Sequence, residues 1–329
     1  VTKPVDDAAT LIEGVRSGDR RSLARAITLC ESTRSDHRLL ADEILAELLP
    51  LTGNAVRIGI SGPPGVGKST FIESFGKHII AEGHRLAVLA VDPSSRRTGG
   101  SILGDKTRMV ELVNEPEAFV RPSPGGEQLG GVARRTREAM LLCEAAGFDV
   151  VVVETIGVGQ SEVAVSDMVD LFALLVSPGA GDELQGIKRG IMELADLVIV
   201  NKADGDLAAA AGRTRADYSS AVHLLRPKWN SWSTEVIACS SLAGTGIDEI
   251  WDAVLRFHTT VERDGELTAA RSQQSKAWLW SEIGDTLLER FRADPAIGAA
   301  LPAAEAAVTN GHRTPTKVAR ELLDLYVAR

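Results

Sequence analysis

The sequence predicts a doubly wound, mainly parallel α/β sheet, and three observations carry that expectation. Short Val/Ile/Leu runs recur through the middle of the chain without polar alternation, as strands covered on both faces require. Helical patterns fill most of the gaps between them. Several runs end in loops rich in glycine or acidic residues, and open α/β sheets collect their ligands beyond the carboxyl ends of the strands.

Taken in order, residues 5–50 read as helices, with Ala8, Leu11, Ile12 and Val15, then Leu23 and Ile27, then Leu39, Ile44, Leu45 and Leu48 at helical spacing. Gly18-Asp19 separates the first helix from the second, and Pro50 with Thr52-Gly53-Asn54 ends the helical region. The expected strands then cover 57–61, 86–91, 119–121, 149–154, 171–176, 197–201 and 236–240. After Thr260 the strand signal stops. Amphipathic helices are expected over 266–292 and 315–326, joined by the Ala/Pro-rich stretch 293–307. Two such helices cannot bury their apolar stripes alone, so they need the main domain or a second copy of the chain. The resulting division is an N-terminal helical extension (1–54), a central α/β domain (55–262) and a C-terminal helical arm (263–329).

With 36 basic and 45 acidic side chains the formal charge is -9, which argues against a general nucleic-acid surface or an anionic-membrane surface. Cys30, Cys143 and Cys239 are widely spaced and have no neighbouring His cluster, so they read as buried thiols of a reducing cytoplasm. Residues 1–20 carry Asp6, Asp7, Glu13 and Asp19 and no apolar core of signal-peptide length. No run reaches membrane-spanning length.

The chemistry concentrates at the expected strand ends. Gly62-Pro63-Pro64-Gly65-Val66-Gly67-Lys68-Ser69-Thr70 follows the first strand and precedes a helix. Its glycines let successive backbone N–H groups turn onto phosphates, Lys68 reaches the β- and γ-phosphates, and Ser69 takes a place on Mg²⁺. The second strand delivers Asp92, an acid able to hold Mg²⁺ through water or to orient the attacking water. Asp105, one loop later, reads either as a Mg²⁺ ligand or as a helix cap. The fourth strand ends at Glu154, a carboxylate of Walker-B type, with Gly157 placed to bring a backbone N–H near the γ-phosphate. Gln160 reads equally as a water-positioning side chain or a solvated loop residue.

Asn201-Lys202-Ala203-Asp204 follows the sixth strand. There the carboxylate of Asp204 can accept from the ring N–H and exocyclic amine of guanine, donors that adenine does not present at those positions. Ser240-Ser241-Leu242 after the last strand suits the loop that contacts the guanine carbonyl. Residues 177–188 form a glycine-rich loop on the same side of the sheet.

Together these segments, with Val91-Asp92-Pro93-Ser94-Ser95, Gly104-Asp105-Lys106-Thr107-Arg108-Met109 and the run from Val153 through Gln160-Ser161-Glu162, resemble the MeaB/ArgK family of P-loop GTPases. These are G-protein chaperones of adenosylcobalamin-dependent methylmalonyl-CoA mutase. The resemblance implies a P-loop NTPase fold, a G domain of the dimerising GTPase class with helical N- and C-terminal extensions, and a homodimer made through the arm. It implies GTP/GDP and Mg²⁺ as cofactors, with Ser69, Asp92, Asp105 and Glu154 around the metal. It also implies slow intrinsic hydrolysis that gates cofactor loading and protects the mutase, with Lys188 in a nucleotide-responsive loop. The partner mutase is then expected to accelerate hydrolysis through 177–188. Two alternatives remain: a nickel-type metal-insertion GTPase, which needs a Cys/His cluster that six His and three Cys do not form here, and a transport-associated ATPase or kinase.

Overall fold

The computed structural model describes residues 7–91, 109–123, 129–155, 161–179 and 189–328. Three helices come first: α1 (Ala8–Arg16), α2 (Arg20–Glu31) and α3 (Ser35–Leu48). Asp7 and Asp19 cap the first two by accepting from the backbone N–H of Thr10 and Ser22, at 2.7 and 2.8 Å. The alternating part follows as β1 (Val56–Ser61), α4 (Lys68–Ala81), β2 (Leu86–Val91), α5 (Val110–Asn114), β3 (Ala118–Ser123), α6 (Leu129–Ala145), β4 (Val150–Thr155), α7 (Ser161–Ser166), β5 (Leu171–Val176), α8 (Arg189–Met192), β6 (Leu197–Val200), α9 (Ala208–Val222), β7 (Glu235–Ala238) and α10 (Ile247–Arg263). The chain ends in α11 (Glu266–Ala293), α12 (Pro295–Thr309) and α13 (Pro315–Val327).

Among the described residues the strands form one parallel sheet in the order β3-β2-β4-β1-β5-β6-β7. β1 lies in the middle, and the chain winds from it first to one side and then to the other. Alternate side chains of each strand enter two separate cores, as the two-residue period of a strand requires. Val150 and Val152 meet α4 and α10 through Phe71, Phe75, Trp251 and Phe257. Val151 and Val153 meet α1, α2, α3 and α6 through Leu11, Leu23, Ile44 and Leu142. The N-terminal helices therefore complete a face of the sheet, burying Leu11, Val15, Leu23, Ile27, Ile44 and Leu48. Leu39, which the helical spacing groups with them, is 72% exposed.

The amino ends of the strands share a device. Asp149, Asp170 and Asp196 each stand immediately before a strand, and each accepts a backbone N–H at the start of the neighbouring one. Asp149 takes Arg85 (2.7 Å), Asp170 takes Arg57 (2.9 Å) and Asp196 takes Phe172 (2.8 Å). Further partners surround the two buried carboxylates. Arg271 donates to both oxygens of Asp170 (2.8 and 2.6 Å) and to the carbonyls of Gly53 and Ala55. The Trp229 indole (2.7 Å) and the Lys228 ammonium (3.2 Å) donate to Asp196. Burial still pushes the Asp196 carboxyl upward, against the pull of Lys228. Arg57 and Glu144 form a further buried pair at 2.6 Å.

The chain divides into two compact units, Val1–Gln274 and Ser275–Arg329, with the division inside α11. In the second unit Phe291 and Tyr326 pack edge to face with centroids 5.5 Å apart, and Ile297 and Val318 are buried. Trp280 is 72% exposed. One expectation is corrected here: most of 293–307 is not a plain connector but belongs to the helix α12. Asp294 caps it, accepting from the N–H of Ala296 and Ile297 at 2.8 and 3.2 Å. Pro295 stands at a first-turn position where its missing N–H costs nothing, and the alanines favour helix strongly enough to carry the chain past Pro302. No described helix is long and apolar enough to cross a membrane.

Candidate functional site

The carboxyl end of β1 runs into the glycine-rich loop and then α4. Val66, 1% exposed, pins the loop to the core, while Pro64, Gly65 and Thr70 face outward. Gly62 is required by space: a Cβ there would lie 2.4 Å from the carbonyl oxygen of Leu175 on the adjacent β5. Gly67 has φ +93°, at the N-cap of α4, and a Cβ there would meet the Asn201 amide at 2.9 Å. Among the described residues no side chain caps this helix, so its first-turn N–H groups remain directed at whatever occupies the loop. The Lys68 ammonium folds back over the loop and donates to the carbonyls of Gly62 (2.7 Å) and Pro63 (3.3 Å).

β4 brings Glu154, only 3% exposed, beside this loop, where it accepts from the Ser69 hydroxyl at 3.4 Å. The next residue, Thr155, donates to the Ser61 hydroxyl at 2.8 Å, so the ends of β4 and β1 are fastened together. A hydroxyl and a carboxylate brought together at the phosphate loop make an all-oxygen donor set, which suits a hard cation such as Mg²⁺. Among the described residues no group of three His, Cys, Asp or Glu side chains is arranged to hold a metal.

Asn201, 1% exposed, links three segments that are far apart in the chain. Its amide nitrogen donates to the Val66 carbonyl (3.0 Å), and its oxygen accepts from the N–H (3.1 Å) and hydroxyl (2.7 Å) of Ser241. Lys202 adds a second tie, from its ammonium to the Gly65 carbonyl at 2.6 Å. It is the only non-glycine residue with positive φ (60°) among the described residues. Asp204 follows, half-buried, with its carbonyl accepting from Leu207. After β7 an antiparallel bridge between Ser240 and Thr245 closes a loop, and the Ser240 hydroxyl accepts from Ala243 N–H at 3.0 Å. Leu242 stands at its tip, 84% exposed. Beneath the loop the Cys239 thiol is buried against Asn201, and desolvation pushes its pKa up to about 12.

The structure thus brings together Lys68, Ser69, Glu154, Asn201, Lys202, Ser240 and Ser241 along one rim. Asp92, Asp105, Gly157, Gln160 and Lys188 lie outside the described residues. The tying roles of Asn201, Lys202 and Thr155 were not anticipated from sequence. The phosphate loop, the Asn-Lys-x-Asp segment and the Ser-Ser loop are the signals in the sequence, and local spacing does not show that they bond to one another.

A strand, phosphate loop and helix at the centre of a parallel sheet, with a second motif bonded to the loop from the far half, define a P-loop nucleotide-binding protein. The comparisons make the class specific. Residues 23–296 match the model of the family described as methylmalonyl Co-A mutase-associated GTPase MeaB. A putative GTPase of Caulobacter vibrioides is 53% identical over 323 residues, 98% of this chain and 99% of that one. The methylmalonic aciduria type A homolog, mitochondrial, of Mus musculus is 49% identical over 329 residues, covering 97% of this chain and 79% of that one. The crystal structure of a LAO/AO transport system kinase matches with TM-score 0.77 and 40% identity, covering 98% of this chain and 99% of that one. The chain belongs to the MeaB family and is a GTPase.

Proposed function

We propose that this GTPase is the G-protein chaperone of an adenosylcobalamin-dependent mutase, methylmalonyl-CoA mutase or a close relative, and that its cycle gates cofactor loading and protects the mutase. The family description and the name of the mouse relative support the partner. The observation that carries the nucleotide reading is Asn201, whose hydrogen bonds fasten the phosphate loop, the Asn-Lys-x-Asp segment and the Ser241 loop into one frame.

In this reading Lys68 exchanges the Gly62 and Pro63 carbonyls for β- and γ-phosphate oxygens, and the loop N–H groups complete the cradle. A bound Mg²⁺ would supply charge neutralisation at the transferred phosphoryl group. Ser69 and Glu154 would hold it, with Asp92 and Asp105 completing the set. Asp204 accepts from guanine, and Ser240, Ser241 and Leu242 border the base. Gly157 brings a backbone N–H to the γ-phosphate, Gln160 positions the attacking water, and Lys188 sits in the nucleotide-responsive loop. Positioning and charge neutralisation without a strong general base give slow turnover until the mutase binds.

The reading divides the chain at 1–54, 55–262 and 263–329, and makes the last segment the arm of a homodimer. The exposed Leu279, Trp280, Leu287, Leu323 and Val327 support such an interface. Three free buried cysteines support a reducing compartment such as the cytoplasm. Single-turnover GTP cleavage, measured with and without saturating methylmalonyl-CoA mutase, is the direct test: acceleration is expected, and an unchanged rate overturns the chaperone reading. Competition between GTP and ATP separates it from a transport-associated kinase.

A further inference from the structure

Among the described residues β7 ends one side of the sheet, with β6 paired to its inner edge and no strand on its outer one. In a parallel ladder the N–H and C=O of one residue point to the same neighbour, and those of the next residue point away from it. Cys239 donates to the Val200 carbonyl and accepts from Ala203 N–H, so its backbone faces the β6 side. By alternation Ile237 and Glu235 do the same, while Ala238 and Val236 turn their backbone groups outward. A groove of about 630 Å³ lies along that outer edge, lined by the strand itself and by α9 and α10.

The two walls carry opposite charge. α9, which packs on the Val236 side, contributes the positive Arg215, with His223 just past its C-terminus; α10, on the Ile237 side, contributes Glu249 and Asp252. Arg215, Glu249 and Asp252 are exposed and make no salt bridge among the described residues. Arg256 and Glu235 neutralise one another at 2.8 Å. A strand laid beside β7 would point alternate side chains at α9 and at α10.

We infer that the outer edge of β7 accepts an added strand from a partner protein, a short extended segment whose side chains alternate between acidic, toward α9, and basic, toward α10. A second copy of this chain does not suit the groove. Two β7 edges related by a twofold axis normal to the sheet would set α9 against α9 and α10 against α10, opposing like charges. The same charges keep the edge from pairing indiscriminately, as exposed sheet edges require.

The test uses the full-length protein and two fluorescein-labelled octapeptides of identical composition, one alternating Glu and Lys, the other ordered Glu-Glu-Lys-Lys twice. Fluorescence anisotropy is expected to show the alternating peptide binding at least about tenfold tighter, because only it segregates its charges onto two faces. Hydrogen exchange at 234–238 should slow with that peptide alone, which charge adhesion without strand pairing would not produce. Arg215→Glu makes both walls acidic and should weaken binding by about tenfold. Adding Glu249→Lys and Asp252→Lys should restore it, since a one-residue shift presents the peptide's other face to each wall. Equal affinity for the two peptides, unchanged exchange, or no rescue by the triple variant overturns the proposal.

Discussion

The two ends of the parallel strands are built on opposite chemistry. At the amino ends, buried carboxylates are each matched to a cation: Asp170 to Arg271, Glu144 to Arg57, and Asp196 to Lys228. At the carboxyl ends, single side chains fasten backbone loops together, and the Lys68 ammonium donates to the Gly62 and Pro63 carbonyls. The difference teaches where each function resides. Internally satisfied charges fix register, whereas polar groups held on a rigid frame and turned outward are available to a ligand.

Breaking either end should therefore leave the other largely intact. Lys68→Ala should lower GTP affinity on the order of a thousandfold, measured by calorimetry, with little change in urea midpoint. Arg271→Ala should do the reverse. It leaves Asp170, whose side chain is 0% exposed, without its guanidinium partner. A loss of about 3 kcal/mol in urea unfolding is expected, with nearly unchanged GTP affinity in the folded protein. A large affinity loss in that variant would show that the two ends are coupled. Asp204→Asn sharpens the comparison within the rim: the preference for GTP over ATP should fall by about thirtyfold, because the amide can no longer accept both guanine donors. Equal GTP and ATP affinity in the unmodified protein would remove the basis for that assignment.

A smaller effect follows from the thiols. Desolvation pushes Cys30, Cys143 and Cys239 above their ordinary value near 9, with Cys239 at about 12. The folded chain keeps protons that the unfolded chain releases. Stability is therefore full below about pH 9 and falls as pH rises, by up to ~1.4 kcal/mol per pH unit for each thiol. Urea midpoints at pH 8 and pH 10, compared between the native protein and a Cys→Ala triple variant, isolate this slope. The same slope in both proteins would assign it to other groups.

The sheet was legible because its strands are unbroken runs such as Val150 to Val153, and the phosphate loop because its chemistry dictates its spelling. Boundaries shifted only slightly: β6 stops at Val200 and β7 at Ala238, where Asn201 and Ser240 turn into the loops they brace. What escaped was long-range. Arg271 meets Asp170 across 101 residues, and nothing in the local pattern pairs them. The aspartates at 149, 170 and 196 each precede an apolar run, a repeated signal that could have marked the amino-end caps. α12 was hidden by its two prolines, although Asp294-Pro295 spells a helix start.

Lys202 gives one of these features a wider consequence. Holding a side-chain-bearing residue in the left-handed region costs roughly 1–2 kcal/mol, a cost glycine would not incur. Lys202→Gly would relax that turn while releasing the Gly65 carbonyl. A screen that rewards heat resistance alone would therefore favour glycine at this position and gradually erode the tie between the sixth strand's end and the phosphate loop.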